Sequence, residues 1–229
     1  MNLFPALSWI INNDCNLNCI HCYTGSTHNE AHISYHTDEE LEIIKDNLSD
    51  TKFNYIFISG GEPALDCNIF RYLDVCRKLN PDNIFILSNG LLLDRDYLER
   101  FKEAGVTGFS IGYQHYDSDI ADKLYKYPGA HRRILENVEV IKELGFLLYF
   151  DTIIMRENYL HLEEMLHFAI EKKVDNITFK RYATLGRGKN PHNLILNKEE
   201  YHQTILKLLE LQKEFTDISI VIHDPLANI

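Results

Sequence analysis

The stretch Cys15-Asn16-Leu17-Asn18-Cys19-Ile20-His21-Cys22 places three cysteines within eight residues of a chain of 229 residues. The chain holds five cysteines in all, and the other two are Cys67 and Cys76. An odd number of cysteines is a poor basis for a disulfide framework. Thiolates gathered in one loop usually hold metal, so this stretch predicts a metal centre near the N-terminus.

Three thiolates leave a metal centre one ligand short. A structural zinc site needs a fourth ligand, for which the neighbouring candidates are His28, His32 and His36. A four-iron cluster on three cysteines keeps one iron open, and a small molecule with an amine and a carboxylate can chelate that iron. A thioredoxin-like pair of Cys19 and Cys22 would leave the first cysteine over. Unrelated buried cysteines are the remaining interpretation.

Strand-like and helical segments alternate outward from this loop to the end of the chain. The apolar runs are apolar on both faces, as buried parallel strands are. The predicted strands are Leu7–Ile11, Tyr55–Ser59, Ile84–Leu87, Gly108–Ile111, Leu147–Ile154, Ile177–Phe179 and, near the end, Ile218–Ile222. The repeated strand–helix pattern predicts an α/β fold with a parallel sheet.

Capping residues mark where the intervening helices begin. The predicted caps are Thr37 with Glu40, Asp94, Asn158, and Asn197 with Glu200. An apolar stripe from Ala130 to Leu144 ends at Gly145, which suits a helix end. Cys67 and Cys76 are expected on the helix after residue 63 as ordinary buried cysteines, and His131-Arg132-Arg133 is expected on a solvated helix face.

The length and the number of repeats favour one domain over residues 1–229, with a C-terminal helix plus strand over about 198–229. An eight-fold barrel usually needs about 250 residues, so we expect a partial (β/α)6 TIM-like barrel. A doubly wound open sheet is the alternative architecture. Both architectures place ligands at the carboxyl ends of the strands.

The carboxyl ends of the predicted strands carry chemistry-bearing residues. They are the cysteine loop Asn12–Tyr23, Ser59-Gly60-Gly61-Glu62-Pro63, Ser88-Asn89-Gly90, Ser110-Ile111-Gly112-Tyr113-Gln114-His115, the stretch from Asp151 to Arg156, and Lys180-Arg181-Tyr182. This rim collects three thiols, a double glycine, small hydroxyl groups and a few basic groups, which is the composition of a site.

The C-x3-C-x2-C loop followed by Gly60-Gly61-Glu62-Pro63 after the next strand resembles the radical S-adenosylmethionine (radical SAM) superfamily, including its partial-barrel core. The stretch from Phe179 to Lys189 is similar to the sixth-strand exit of the peptide- and cofactor-maturing, SPASM-type branch. Gly112-Tyr113 stands where the SxDG motif of that branch carries a carboxylate. No cysteine follows Cys76, so the C-terminal cysteine-rich extension of that branch is not expected.

The resemblance implies a [4Fe–4S] cluster held by Cys15, Cys19 and Cys22, with S-adenosylmethionine chelating the fourth iron. Cofactor contacts are expected from His21, Gly60, Gly61, Glu62, Pro63, Ser88, Asn89, Ser110 and Arg181. Glu62 would add negative charge near the methionyl amine or fix its turn. Substrate contacts are expected from Tyr113, Gln114 and His115, at the mouth of the barrel.

The activity implied by the resemblance is reductive cleavage of S-adenosylmethionine, giving a 5′-deoxyadenosyl radical that abstracts hydrogen from a substrate. A laterally open barrel suits a peptide or protein substrate, in peptide or cofactor maturation. A small-molecule reaction or activation of a glycyl-radical partner is the alternative within the enzyme class. A non-catalytic iron–sulfur or zinc module, or an electron-transfer module, belongs to another class. An electron donor such as flavodoxin or ferredoxin is the expected protein partner.

Charge and hydropathy indicate which other classes of partner, such as nucleic acids and membranes, are not expected. The formal net charge of −11 speaks against a broad nucleic-acid footprint, because phosphate neutralisation needs Lys and Arg. No apolar run approaches 18 residues, so no membrane-spanning helix is expected. The first 13 residues lack a basic n-region and a cleavage site, which favours the cytoplasm.

Overall fold

A computed structural model describes residues 6–27, 36–189 and 193–224. Seven parallel strands form one sheet in which the strand order follows the chain order. The strands are β1 (Ala6–Ile10), β2 (Tyr55–Ser59), β3 (Asn83–Ser88), β4 (Gly108–Gly112), β5 (Leu147–Ile153), β6 (Asn176–Lys180) and β7 (Ser219–His223). Each predicted strand is present, with ends that differ by at most one residue.

Helices link the successive strands. They are α1 (Asp38–Leu48), α2 (Ile69–Lys78), α3 (Arg95–Glu103), α4 (Ser118–Tyr125), α5 (Ala130–Glu143), α6 (Leu162–Glu171) and α7 (Lys198–Glu214), with short 3₁₀ turns at Pro63–Leu65 and Gly186–Lys189. Among the helices in these described ranges, none combines the length and the apolar character that crossing a lipid bilayer requires.

The sheet is an open half-barrel. Within the described part of the chain, β1 pairs only with β2 and β7 pairs only with β6, so the two edge strands do not close on each other. The predicted partial barrel is confirmed, and the strand predicted near the end joins the sheet as β7. The single-domain organisation stays a prediction.

The two faces of the sheet carry different side chains and pack against different surroundings. Ile56 and Ile58 of β2 are fully buried on the side that faces the helices. The opposite, concave face carries an aromatic cluster, in which the ring of Phe85 lies 5.8 Å from Phe57 and 4.6 Å from Tyr149. A side chain at Gly108 would overlap the Phe85 ring, so glycine is needed there. This cluster forms a floor below the carboxyl ends of the strands.

Most of the predicted helix caps are confirmed. Thr37 with Glu40, and Asn197 with Glu200, form capping boxes at the starts of α1 and α7. The Asp94 side chain accepts a hydrogen bond from the Tyr97 backbone N–H at the start of α3.

The prediction for Asn158 is wrong, because α6 begins only at Leu162. Asn158 is fully buried. Its Oδ1 accepts from the Met155 N–H at 2.9 Å, and its Nδ2 donates to the Gln114 carbonyl at 3.0 Å and the Ile153 carbonyl at 2.9 Å. The side chain therefore organises the loop after β5 instead of capping a helix.

Two further expectations about side-chain burial need correction. His131 is buried, not solvated, and its Nδ1 lies 2.9 Å from the hydroxyl of Ser118 at the start of α4. Arg132 and Arg133 are exposed as expected. Cys67 is exposed and precedes α2, whereas Cys76 is buried within α2.

Candidate functional site

The cysteine loop follows β1 at the carboxyl edge of the sheet and is held by its backbone. The Ile11 N–H donates to the Ser59 carbonyl on β2 at 2.9 Å. Farther along the loop, the Asn18 and Ile20 N–H groups donate to the last carbonyls of α4, at 3.3 and 3.0 Å. The loop is thus anchored to β2 on one side and to α4 on the other.

The double glycine after β2 lets the cysteine loop cross it at close range. The Gly61 N–H donates to the Asn12 carbonyl at 3.2 Å, and the Glu62 N–H donates to the Asp14 carbonyl at 2.6 Å. A Cβ at Gly60 would overlap the Asn12 side chain, and one at Gly61 would overlap the Asp14 carbonyl. Glycine is required here by the loop backbone itself, whatever else these positions contact.

The carboxylate of Glu62 joins the ends of β2 and β3. Its Oε1 accepts from the Ala64 N–H at 3.0 Å and from the Ser88 hydroxyl at 2.8 Å. Its Oε2 accepts from the Asn89 N–H at 2.7 Å. The side chain is fully buried, and this burial raises its pKa. These bonds fix the 3₁₀ turn that Pro63 opens, and the cofactor contacts expected of Glu62 and Pro63 stay a prediction.

Asn89 extends this network to the first cysteine. Its Nδ2 donates to Asn16 Oδ1 at 2.8 Å and lies 3.8 Å from the Cys15 sulfur. Its Oδ1 accepts from the Leu91 N–H, which closes the turn after β3. Hydrogen bonds therefore run from Glu62 through Asn89 to the cysteine loop.

Two of the three thiols, those of Cys15 and Cys19, lie in environments that disfavour an unpaired thiolate. Burial raises the pKa of Cys15 to about 11 and that of Cys19 to about 12, and neighbouring thiols add to both shifts. The Cys22 sulfur lies 3.2 Å from the Thr24 hydroxyl, which in turn contacts Ser26. Buried thiolates that repel one another become stable when a cationic centre lies among them, so this donor set fits an iron–sulfur cluster.

The thiols do not converge on a single point. Within residues 6–27, 36–189 and 193–224, no three His, Cys, Asp or Glu side chains are placed to hold one metal ion. A four-iron cluster is larger than one ion and takes its thiolates on different irons, so it does not require the three sulfurs to meet at one point. Of the histidines considered for zinc, His28 and His32 lie outside the described residues. The His36 ring lies 6.1 Å from Trp9 and 5.9 Å from Tyr72.

His21 lies between the second and third cysteines with its ring buried. Its Nδ1 has no hydrogen-bond partner. Burial, with a smaller contribution from Arg187, lowers its pKa to about 4, so the ring is neutral near pH 7. A buried ring nitrogen without a partner is suited to a bound ligand, and the cofactor contact expected of His21 stays a prediction.

Two of the residues predicted at the strand ends, Asp151 and Lys180, form a charged pair on the concave face beside Ser110, a pairing that the sequence did not predict. The Ser110 hydroxyl donates to Asp151 Oδ2 at 2.8 Å, and the Lys180 Nζ lies 2.9 Å from the same oxygen. In the sheet register Asp151 pairs with Gly112. The neighbouring strand thus supplies a carboxylate next to the position where the chain lacks one. Its only sequence signal was its place at a strand end.

The three residues expected to contact substrate, Tyr113, Gln114 and His115, make contacts within the protein. The Tyr113 ring is buried and stacks on Phe150 at 4.4 Å. The Gln114 amide donates to the Asp151 carbonyl and accepts from the Ile153 N–H. The His115 ring is buried, and its Nδ1 accepts from the Asp117 N–H. Their side chains pack against and brace the ends of β4 and β5, while the buried Tyr113 hydroxyl and His115 Nε2 have no hydrogen-bond partner. The substrate contacts expected of the three residues stay a prediction.

Arg181 lies apart from the cysteine loop, at the edge of a cavity between the β6 exit and α7. Its guanidinium lies 5.4 Å from the Tyr201 ring. The cavity has a volume of about 930 Å³, with Lys198 and His202 beside it and apolar walls that include Leu185 and Leu196. The cofactor contact expected of Arg181 stays a prediction.

The chain is similar in sequence to known proteins. A model of the radical SAM superfamily matches residues 9–169. An AdoMet-dependent heme synthase of Methanosarcina barkeri is 25% identical over 212 residues, which cover 91% of this chain and 58% of that protein. A PqqA peptide cyclase of Granulibacter bethesdensis is 29% identical over 157 residues, covering 68% and 41%. The chain spans about half the length of the curated relatives it matches.

Solved structures share the fold. Streptococcus suis SuiB bound to its precursor peptide SuiA superposes with a TM-score of 0.76 at 18% identity, covering 96% of this chain and 49% of SuiB. The enzyme anSMEcpe with bound AdoMet gives a TM-score of 0.70 at 20% identity, covering 96% and 63%. At these identities the likeness concerns the architecture.

Proposed function

The chain belongs to the radical SAM superfamily, and we propose that it is an enzyme that applies the radical chemistry of that superfamily to a peptide or protein substrate. The superfamily implies a [4Fe–4S] cluster and S-adenosylmethionine as cofactors. When bound and reduced, these supply a 5′-deoxyadenosyl radical for hydrogen abstraction, while the protein supplies binding, orientation and exclusion of water. The proposal includes a cytoplasmic location and an electron donor such as flavodoxin or ferredoxin.

The observation that carries the proposal is the way the cysteine loop is built into the carboxyl edge of the sheet. Cys15, Cys19 and Cys22 would hold the cluster. The loop crosses Gly60 and Gly61 and is tied through Asn89 to the ends of two strands. A storage or electron-transfer module would have no need for a loop locked to the ligand-binding edge of a half-barrel.

The concave face offers polar groups for orientation close to this edge. Asp151 is about one-fifth exposed and Lys180 about one-third, so the pair can meet a ligand there. Asp151 can accept hydrogen bonds from hydroxyl or amine groups, and Lys180 can neutralise a carboxylate. The aromatic floor of Phe57, Phe85 and Tyr149 adds apolar surface below these polar groups.

The open sheet supports a peptide substrate. Ile10 at the end of β1 is 61% exposed and Val221 of β7 is 43% exposed, and no described strand bridges these two edges. A long chain can approach the concave face through such a gap, whereas a closed barrel admits small ligands from one end. SuiB, which has the same architecture, is bound to a precursor peptide.

A carboxylate-bearing small molecule is the second candidate substrate. The cavity beside Arg181 has the size of a small-molecule site. Arg181 and Lys198 supply positive charge at its edge, one carboxylate, Asp224, also lines it, and its walls are largely apolar. Two of the relatives are an AdoMet-dependent heme synthase and an Fe-coproporphyrin III synthase, both of Methanosarcina barkeri. An apolar body with acidic side groups would match this cavity.

Anaerobic reconstitution of the full chain tests the chemistry. We expect brown protein with about four irons per chain that releases 5′-deoxyadenosine when it is reduced with S-adenosylmethionine. Cys15→Ala should lose iron and cleavage, whereas the exposed Cys67→Ala, the matched control, should keep both. Colourless protein with one zinc would contradict the proposal.

Substrate class is tested by mass spectrometry of the same reduced enzyme with two panels. One panel holds peptides encoded by neighbouring reading frames, and the other holds carboxylated tetrapyrroles. A change of mass in a peptide supports the first candidate. A change confined to the tetrapyrroles, and lost in Arg181→Met, supports the second.

A further inference from the structure

The segment after β6 packs directly against the cysteine loop. The Arg187 Nε donates to the Cys19 carbonyl at 2.9 Å, and its Nη1 donates to the Ser26 carbonyl at 2.7 Å. The Arg187 backbone N–H donates to the Cys22 carbonyl, also at 2.9 Å. One residue therefore holds the loop at three points, across as many as 168 positions of sequence.

The contact is close because glycines meet on both sides of it. Gly186 has a φ of +53°, and a Cβ there would overlap the Tyr23 carbonyl and the Gly25 nitrogen. Gly25 has a φ of +71° and lies against the Gly186 backbone. Only residues without a side chain let the two backbones approach so closely, and this approach brings the guanidinium within reach of the loop.

The guanidinium brings a positive charge to the second cysteine. It is bonded to the carbonyl of Cys19 itself. In the part of the chain that the structure describes, no carboxylate forms an ion pair with it. A cluster that gains an electron becomes more negative, and a nearby positive charge favours that reduced form. Arg187 lies outside residues 9–169, which the superfamily model matches.

We propose that Arg187 is a positioning residue that clamps the cysteine loop and raises the reduction potential of the cluster held there. The inference rests on the proposed function, because it takes the three cysteines to be cluster ligands. The planar fork of arginine bridges two carbonyls at once, which a lysine ammonium does not reproduce. Lysine keeps the positive charge but loses the fork. The variant Arg187→Lys therefore separates the effect of the charge on the reduction potential from the clamping of the loop.

The experiment compares Arg187→Met, Arg187→Lys and wild type after anaerobic reconstitution of the full chain, with the exposed Arg132→Met as control. A ferrous chelator measures the rate of iron release, and a redox titration followed by electron paramagnetic resonance measures the midpoint potential. In Arg187→Met we expect iron release at least tenfold faster, the scale found when partners of metal ligands are removed, together with a more negative potential. Arg187→Lys should release iron faster at nearly the wild-type potential, and Arg132→Met should match wild type.

An Arg187→Met variant with the wild-type potential overturns the proposal, because a merely structural clamp would change only the release rate. If Arg187→Met does not fold as apoprotein, Arg187→Lys is the deciding variant. An iron-release rate in Arg187→Lys equal to that of the wild type overturns the proposal. Wild-type protein that takes up no iron overturns the proposed function and this inference together. If the wild-type enzyme cleaves S-adenosylmethionine and Arg187→Met has the wild-type rate of iron release and midpoint potential, this inference alone is overturned and the proposed function stands.

Discussion

Replacing Glu62 with glutamine tests whether the buried carboxylate holds the two strand ends together. The carboxylate accepts three hydrogen bonds, from the Ala64 N–H, the Ser88 hydroxyl and the Asn89 N–H. Glutamine keeps the shape of the side chain but turns one acceptor into a donor. The Ser88 hydroxyl can rotate to accept, whereas a backbone N–H cannot.

In either orientation of the amide, one backbone N–H therefore loses its acceptor. With the amide oxygen in place of Oε1, the amine group faces the Asn89 N–H. With the amide reversed, the Ala64 N–H is left without an acceptor. A buried donor without an acceptor costs about 1–3 kcal/mol. We expect the free energy of unfolding of Glu62→Gln to fall by that amount, and that of Glu62→Ala, which leaves three donors unpaired, to fall by more.

Urea denaturation of the reduced apoprotein measures this change. With a slope of about 2–3 kcal/mol per molar urea for a chain of this size, the midpoint of Glu62→Gln should fall by roughly 0.3–1.5 M. Glu99→Gln on the exposed face of α3 is the matched control and should leave the midpoint unchanged. A midpoint for Glu62→Gln equal to that of the control would refute the argument that these hydrogen bonds stabilise the site.

Three further outcomes can be checked, two by urea denaturation and one by thermal denaturation. Gly61→Ala should destabilise the chain by about 1–3 kcal/mol or more, because its Cβ would overlap the Asp14 carbonyl. Gly112→Ala, whose Cβ would make only an ordinary contact with Gln114 Nε2 at 3.9 Å, should not. Burial lowers the pKa of His131, so stability present above pH 6.5 is lost as the pH falls below that value. The urea midpoint should therefore drop between pH 7 and pH 5, and by less in His131→Gln; an equal drop in both contradicts the reasoning. Asn158→Ala should lower the thermal midpoint by roughly 4–12 °C by breaking three buried hydrogen bonds, and a shift below 1 °C would be inconsistent with that role.

The strands and most helix starts could be predicted because their signals are local. The apolar run Tyr55–Ser59 becomes β2 with the same ends, and the caps at Thr37 and Asn197 bond only within their own first turns. Asn158 misled the prediction because an asparagine that bonds nearby backbone serves a loop as well as a helix. The same local pattern was compatible with both structures.

The site depends on contacts that no local pattern contains. Asp151 comes beside Ser110 through the register of β4 and β5, and Glu62 meets Asn89 only because β2 and β3 are neighbours. Tyr113 follows a strand end, which suggested an open mouth, yet it packs between Phe150 and Phe168 because α6 covers that position. Sequence alone could predict which residues lie at the rim, but it could not predict which of their side chains pack within the protein.

The long reach of Arg187 to the cysteine loop has a consequence for biosynthesis. Ribosomes add about 5–20 residues per second, so the clamp leaves the ribosome roughly 8–34 s after the second cysteine, 168 positions earlier. Throughout that interval the nascent thiols lack one of their anchors. We therefore expect stable metal loading only after synthesis has passed Arg187, when the rim of the sheet that surrounds the cysteine loop has also been made.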